Sequence, residues 1–107
     1  MQKARLALLW HMHQPPYRDA DTGEYLLPWV RLHATRAYND MAWILERHPQ
    51  IRCTVNFTPI LLEQLEDYVA GRARDRFLEL TARPANELGP DERATSVSQR
   101  SGRIGWW

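Results

Sequence analysis

The sequence predicts an α/β fold with a parallel sheet, because short strand patterns alternate with helical patterns along the chain. The first observation is an apolar run at residues 4–10 that ends in a loop containing two prolines. The second is a change to helical periodicity from Val30, followed by an alternating segment at residues 51–57. The third is a second helical pattern directly after that segment. The order strand, loop, helix, strand, helix is typical of connected parallel strands.

The first strand is predicted at residues 4–10, where the sequence ARLALLW is apolar on both faces. Such a run is typical of a strand buried in a parallel sheet. Pro15 and Pro16 follow, and proline is excluded from helix interiors and central strands. We therefore expect a loop that continues to about Pro28.

The first helix is predicted from Val30 to His48. Its apolar face consists of side chains at helical spacing, namely Ala34, Ala37, Tyr38, Met41 and Leu45. The helix should end at His48, because Pro49 disfavours helical geometry at the residue before it. In residues 51–57 apolar side chains alternate with polar ones, which predicts the second strand.

The second helix is predicted to begin after Thr58, with Thr58 as the N-cap and Pro59 at the first helical position. Gly71 is suited to end it, because glycine readily adopts the left-handed conformation of a helix C-terminus. The apolar face of this helix is predicted to comprise Leu61, Leu62, Leu65, Tyr68 and Val69.

The end of the chain has a different character. A short helix is predicted at residues 75–81, and Pro90 with two acidic residues after it predicts the start of another. Residues 95–103 then show no apolar periodicity. We therefore divide the chain into residues 1–94 and an irregular tail at residues 95–107, which is either an ordinary tail or the product of a truncated or frame-shifted reading.

Composition narrows the classes of function. The formal charge is +1, from 14 basic and 13 acidic residues, which predicts no nucleic-acid partner and no anionic membrane partner. The apolar stretch at residues 6–10 is too short for the core of a signal peptide or for a membrane span. Cys53 is the single cysteine, so an internal disulfide framework is excluded. We expect a cytoplasmic protein that uses neither a cofactor nor a metal ion.

His11 and His13 are the first candidates for chemistry. They stand two residues apart at the carboxyl end of the first strand, so their side chains should point the same way. That edge of a parallel sheet is where sites are built. The pair could bind a metal, hydrogen-bond a sugar, orient a carboxylate or only cap the strand. A metal would need further ligands, and neither His33 nor His48 is well placed to supply one.

The segment from His11 to Pro15, His-Met-His-Gln-Pro, resembles the first signature motif of family-57 glycoside hydrolases, which closes the first strand of their barrel. The resemblance continues through residues 24–35 and resumes at residues 56–59 and 61–68. It covers residues 4–94, so it spans most of the chain.

The resemblance implies the first strand–helix units of a distorted (β/α)7-type parallel barrel, incomplete in this chain. It also implies a retaining enzyme of the amylase or amylopullulanase type, acting on an α-glucan or maltooligosaccharide. His11 and His13 match histidines that line the sugar subsite, and Gln14 belongs to the same motif. Trp29 matches an aromatic residue near the cleft, although a packing role is an equal alternative. We therefore predict His11, His13, Gln14 and Trp29 as substrate-binding residues.

The resemblance assigns no catalytic residue to this chain. Retaining hydrolysis needs two carboxylates about 5–5.5 Å apart, and the family carries them on strands downstream of the matched segment. The carboxylates present have other expected roles: Asp19, Asp21 and Glu24 in a turn, and Glu63, Glu66 and Asp67 on a solvated helix face. We therefore expect the chain alone to be inactive. The alternatives are a fragment of a metal-dependent, amidohydrolase-like hydrolase and a non-catalytic carbohydrate-binding fragment; the oligomeric state is left open.

Overall fold

The computed structural model describes residues 4–100, in which strands and helices alternate in the predicted order. The elements are, in chain order, strand β1 (Leu9–Met12), strand β2 (Glu24–Tyr25), helix α1 (Trp29–His33), a π-helical turn (Ala34–Tyr38), helix α2 (Asn39–Arg47), strand β3 (Thr54–Phe57), helix α3 (Pro59–Val69), strand β4 (Arg74–Asp75), helix α4 (Arg76–Ala82), a 3₁₀ turn (Ala85–Glu87) and helix α5 (Pro90–Arg100).

The two predicted strands are parallel neighbours. In the register of β1 and β3, Leu9 lies opposite Thr54 and His11 lies opposite Asn56. The short strands β2 and β4, which the sequence did not predict, also pair in parallel. The prediction of an α/β fold with parallel strands is therefore confirmed.

The extent of β1 differs from the prediction. Pairing is confined to Leu9–Met12, because β3 begins only at Thr54, whose N–H donates to the Leu8 carbonyl at 2.9 Å. His11 consequently lies within the strand and not after it. The predicted burial on both faces is wrong, since Leu6 is 85% exposed and Leu9 is 65% exposed. Within residues 4–100 no second layer covers that face of the strand pair.

Residues 29–47 form one continuous helical stretch, as predicted, with a π-helical turn in its middle. His48 ends the stretch as expected, and its N–H donates to the Leu45 carbonyl at 3.0 Å. The π turn was not predicted; such turns widen a helix by one residue and are frequent at functional sites. Its last residue is Tyr38, whose side chain faces the loop that follows β1.

The apolar core joins one residue from each of three elements. Met12 of β1, Val30 of α1 and Leu61 of α3 are buried against one another. Partly buried side chains pack around them, namely Trp10, Tyr17, Tyr38, Met41, Leu65 and Tyr68. Because neighbouring residues of an extended segment point to opposite sides, burial of Met12 directs His11 and His13 away from this core.

Helix α3 begins and ends where the sequence predicted, and its predicted apolar face is confirmed for Leu61, Leu65 and Tyr68 but not for Leu62 and Val69. Thr58 occupies the N-cap position, although its hydroxyl forms no capping hydrogen bond, and Gly71 has a φ of +69°, a conformation that glycine adopts readily. Leu62 is 45% exposed and Val69 is 89% exposed, whereas the polar Gln64 and Asp67 are buried. The prediction of a solvated Asp67 is therefore wrong. The loop after β1 brings polar partners to this side of the helix, and these partners satisfy Gln64 and Asp67.

Asp67 is held by three donors from different parts of the chain. One of its oxygens accepts from Arg18 at 3.1 Å and from the Tyr25 hydroxyl at 3.0 Å; the other accepts from Arg72 Nε at 3.1 Å. Burial by itself would raise the pKa of Asp67, but these hydrogen bonds and the charges of Arg18 and Arg72 outweigh it and lower that pKa. Burial and the hydrogen bond to Asp67 raise the pKa of Tyr25 above its usual value.

Asp75 forms a second buried junction. One of its oxygens accepts from Arg31 Nε and from the Tyr68 hydroxyl, both at 3.0 Å. Its other oxygen caps α4 by accepting the N–H groups of Phe77 at 2.9 Å and Leu78 at 3.2 Å. The rings of Tyr25 and Tyr68 lie 5.0 Å apart, so the two junctions are in contact. Together they join α1, α3, α4 and the loop before β2.

The loop between β1 and α1 is built as a turn, as predicted for Asp19. One Asp19 oxygen accepts from the Thr22 N–H at 2.8 Å, the Thr22 hydroxyl at 3.0 Å and the Asp21 N–H at 3.1 Å, and these bonds lower the pKa of the half-buried Asp19 carboxyl. Gly23 has a φ of +72°, which suits glycine at the end of the turn. Glu24 pairs with Arg74 at 2.8 Å across β2 and β4.

The predicted irregular tail is partly wrong, because α5 continues through residues 95–100 to Arg100. Local hydrogen bonds support the start of this helix without apolar periodicity: Glu92 accepts the Gly89 N–H at 2.9 Å, and the Thr95 hydroxyl donates to the Asp91 carbonyl at 3.0 Å. The remaining part of the predicted tail, residues 101–107, lies outside the described residues.

Acid should weaken the fold through Asp67. Because its pKa is lower in the folded chain than in the unfolded one, the stabilisation is fully present above the unfolded value of about 3.9 and is lost as pH falls below it. We expect the urea midpoint of the wild-type chain to fall more steeply between about pH 5 and pH 3 than that of Asp67→Asn. Asp40→Asn, at an exposed position on α2, is the control and should follow the wild type. Parallel wild-type and Asp67→Asn curves would contradict the assignment.

Candidate functional site

The carboxyl ends of β1 and β3 bring three polar side chains to one edge of the strand pair. His11 and Asn56 are direct partners in the parallel register, and His11 Nδ1 lies 2.7 Å from Asn56 Oδ1. His13 follows β1 by one residue. The His11 and His13 rings are nearly parallel, with an interplanar angle of 8° and centroids 6.0 Å apart. The predicted common direction of the two histidines is therefore confirmed.

Both histidines are exposed at this edge. Apart from the contact between His11 Nδ1 and Asn56, their ring nitrogens form no hydrogen bond with any group in residues 4–100. Neutral imidazole presents one donor nitrogen and one acceptor nitrogen, so the pair offers several hydrogen-bonding positions to a polar ligand.

Gln14 is oriented by two tyrosines. Its Nε2 donates to the Tyr38 hydroxyl at 3.2 Å, and its Oε1 accepts from the Tyr17 hydroxyl at 3.1 Å. These contacts fix the loop after β1 against the π turn. Burial and the neighbouring Tyr38 raise the pKa of Tyr17, so the Tyr17 hydroxyl remains protonated at neutral pH. Gln14 therefore lies beside two hydroxyl groups that could also contact a ligand.

Trp29 is connected to this region only indirectly. Its half-buried ring lies 6.3 Å from the ring of His33, and His33 stacks on Tyr38 with centroids 6.0 Å apart. Tyr38 in turn binds Gln14. Among the described residues, no ring contact joins Trp29 to His11 or His13. The four predicted residues thus fall into a histidine pair and an aromatic row that meets Gln14.

The loop that carries Gln14 is anchored by the side chain of Gln64 on α3. The Gln64 Oε1 accepts the Tyr17 N–H at 2.9 Å, and its Nε2 donates to the carbonyls of Pro15 at 3.0 Å and Ile60 at 3.2 Å. Gln64 is only 2% exposed. A buried side chain of α3 therefore sets the path of the loop and, through it, the position of Gln14 and Tyr17.

Comparison with known families gives one finding: the model for glycosyl hydrolase family 57 matches residues 7–95. The chain belongs to glycosyl hydrolase family 57. The match includes β1 with its histidines, β3 with Asn56 and the whole of α3. Membership implies a glycoside hydrolase type of function and, in general terms, a carbohydrate substrate. Neither the curated proteins nor the solved structures contain a match to this chain.

The carboxylates of this family-57 chain are not gathered at the histidine edge. Asp67 and Asp75 are buried in their hydrogen-bonded junctions, and Glu63 pairs with Arg18 at 3.3 Å. In residues 4–100 no three side chains of the metal-ligating types come together.

A charged groove of about 240 Å³ is bounded by side chains from β2, β4, α4 and α5, among them Glu24, Arg74, Arg76 and Glu79. Within residues 4–100 no helix is both long and apolar enough to cross a bilayer.

Sequence reasoning missed Asn56, Tyr17, Tyr38 and His33 as neighbours of the site in this family-57 chain. Asn56 could have been predicted as a neighbour of His11, because the two strands were predicted to be parallel and the carboxyl ends of neighbouring parallel strands meet at one edge. Tyr38 was predicted as part of an apolar helix face, and it does pack against the core. Its hydroxyl reaches Gln14 from the π turn, which no pattern of residue types indicated.

Proposed function

We propose that this family-57 chain supplies one wall of the sugar subsite of a retaining enzyme, a hydrolase or transglycosidase that acts on α-glucans or maltooligosaccharides. The observation that carries the proposal is the exposed pair His11 and His13, whose parallel rings lie 6.0 Å apart at the carboxyl edge of two parallel strands. Besides His11 Nδ1, which contacts Asn56, three ring nitrogens at this edge are open to the hydroxyl groups of a pyranose, and each nitrogen serves as a donor or an acceptor.

The neighbouring groups support a carbohydrate ligand. The Gln14 amide and the hydroxyls of Tyr17 and Tyr38 extend the polar surface from the histidine pair toward α1. Trp29 and His33 continue it as a row of rings. Aromatic faces pack against the apolar faces of sugar rings, while the polar groups bind hydroxyls. Gln14 and Trp29 are accordingly proposed as further substrate-binding residues.

The catalytic carboxylates are proposed to come from strands other than β1 and β3. Double displacement needs a nucleophile and an acid/base about 5–5.5 Å apart beside the scissile bond. Asp67 and Asp75 are buried in structural junctions, so neither suits these roles. No catalytic residue is therefore assigned to this chain.

A larger barrel is proposed as the setting of the site, with residues 1–94 as its N-terminal part and residues 95–107 as a separate segment. Strands β1 and β3 form a sheet of two strands, so each has an outer edge that could pair with a further strand. Exposed Leu9 and Phe57 suit burial against further elements of such a barrel. The radius of gyration is 18.0 Å, against about 13 Å for a compact domain of this length.

The proposal is tested by titrating the chain with maltotriose while following its histidine resonances. We expect weak saturable binding with no release of glucose or maltose. His11→Ala and His13→Ala should each raise the Kd about threefold to tenfold, the value of one or two hydrogen bonds. His48→Ala, at the distant end of α2, is the matched control and should bind like the wild type.

Two results would contradict this reading. Maltotriose binding that neither histidine substitution weakens would remove His11 and His13 from the sugar site. Hydrolysis by the purified chain, abolished by His13→Ala, would show that the carboxylates need not come from elsewhere.

A further inference from the structure

We infer that Asn56 is a positioning residue that holds His11 in the Nδ1–H tautomer and thereby presents His11 Nε2 to the ligand as a hydrogen-bond acceptor. The inference rests on the proposed function for its sugar ligand, but the tautomer itself can be measured without any sugar. It concerns a residue that lies opposite His11 in the register and 45 positions away in the chain.

The tautomer follows from the chemistry of the contact. Asn56 presents its carbonyl oxygen, Oδ1, to His11 Nδ1 at 2.7 Å. An amide oxygen only accepts, so Nδ1 must carry the proton that is shared between them. The proton on one ring nitrogen of a neutral imidazole leaves the other with a free lone pair. Nε2 is consequently an acceptor, and it suits a sugar hydroxyl that donates.

The backbone holds the two side chains in this position. The Thr54 N–H donates to the Leu8 carbonyl at 2.9 Å before the pair, and the Thr58 N–H donates to the Met12 carbonyl at 3.2 Å after it. Backbone hydrogen bonds between the two strands therefore lie on both sides of Asn56. A shift of β3 by one residue would carry the Asn56 side chain to the opposite face, so the register selects this contact.

His13 provides an internal comparison. It lies beyond the end of β1, and its ring forms no hydrogen bond with residues 4–100. Its tautomer is therefore set by solvent, while that of His11 is set by Asn56. The two rings are stacked and share an exposed environment, so a difference between them reports the Asn56 contact and not burial.

The experiment is a long-range proton–nitrogen correlation spectrum of the full chain with labelled histidines, at a pH well above the usual histidine pKa of about 6.5. The chain has only 4 histidines, which single histidine-to-glutamine variants assign. We expect His11 to show a protonated Nδ1 and a bare Nε2. Asn56→Val should abolish that pattern, whereas Asn56→Asp, which keeps an acceptor oxygen, should retain it. Thr54→Val, two residues earlier on the same face of β3, is the control and should leave the pattern unchanged.

The sugar titration is then repeated with these variants. Asn56→Val should raise the Kd for maltotriose about threefold to tenfold, and Asn56→Asp should raise it less. A wild-type His11 protonated at Nε2 would overturn the inference, and so would unchanged affinity in an Asn56→Val chain whose tautomer had changed. Failure of the wild type to bind maltotriose would overturn the proposed function, while the tautomer of His11 would still decide whether Asn56 positions it.

Discussion

Replacing Asp75 by alanine is expected to lower the free energy of unfolding by about 3–5 kcal/mol, enough to unfold a chain of this size or bring it close to unfolding. Asp75 is 1% exposed, and its carboxylate receives four hydrogen bonds. The substitution leaves the half-buried Arg31 without its partner carboxylate and removes the N-cap of α4. Loss of a buried ion-pair partner and loss of a cap both belong to the most costly single changes.

Two further variants divide this effect into its parts. Asp75→Asn retains an oxygen that can cap α4, but it removes the charge that faces Arg31, so we expect a smaller loss of about 1–3 kcal/mol. Glu24→Ala is the matched control, because the Glu24–Arg74 ion pair is exposed, with side chains 48% and 64% accessible. Its removal should cost less than about 1 kcal/mol. Urea unfolding followed by circular dichroism measures all three, and equal losses for Asp75→Ala and Glu24→Ala would contradict the assigned role.

The junction at Asp75 shows where sequence reasoning about the fold succeeded and where it could not. Prolines, caps and periodicity located the start of α3 after Thr58, its end at Gly71 and the end of α2 at His48, because these signals act over a few neighbouring residues. The same reasoning placed Asp67 in solvent, since a carboxylate on a helix is normally hydrated. Its burial depends on Arg18 and Tyr25, which are distant in sequence and reach α3 only after the loop has folded.

The candidate site shows the same difference between local contacts, which were predictable, and contacts between distant residues, which were not. His11 and His13 could be selected from the sequence, because two residues that lie two apart at a strand end share a direction. The partner of His11 could not be selected, because it depends on the register between β1 and β3. Tyr38 reaches Gln14 from a π turn that the apolar periodicity of its helix did not reveal. Contacts within a few residues were thus predictable, and contacts set by register or packing were not.

Gln64 couples the stability of the chain to the shape of this site, and Gln64→Leu is expected to damage both. Leucine has a similar size but removes the side-chain partners of the Tyr17 N–H and the Pro15 carbonyl. Leaving such backbone groups without partners beside the core costs about 1–3 kcal/mol, and we expect a loss in the upper part of that range. Glu63→Gln, one residue earlier on α3 and 57% exposed, is the control and should cost less than about 1 kcal/mol.

Gln64→Leu should disturb the loop residues of the site, Gln14 and Tyr17, more than it disturbs His11 on β1. Gln64 fixes the loop at Pro15 and Tyr17, whereas His11 is held within β1 by the parallel pairing. We therefore expect the resonances of Tyr17 and Gln14 to broaden or shift, with the Nδ1–H tautomer of His11 retained, and the Kd for maltotriose to rise about threefold or more. Loss of the His11 tautomer in the same variant would show that β1 and the loop respond as one unit. That result would contradict an anchoring role for Gln64 that is confined to the loop.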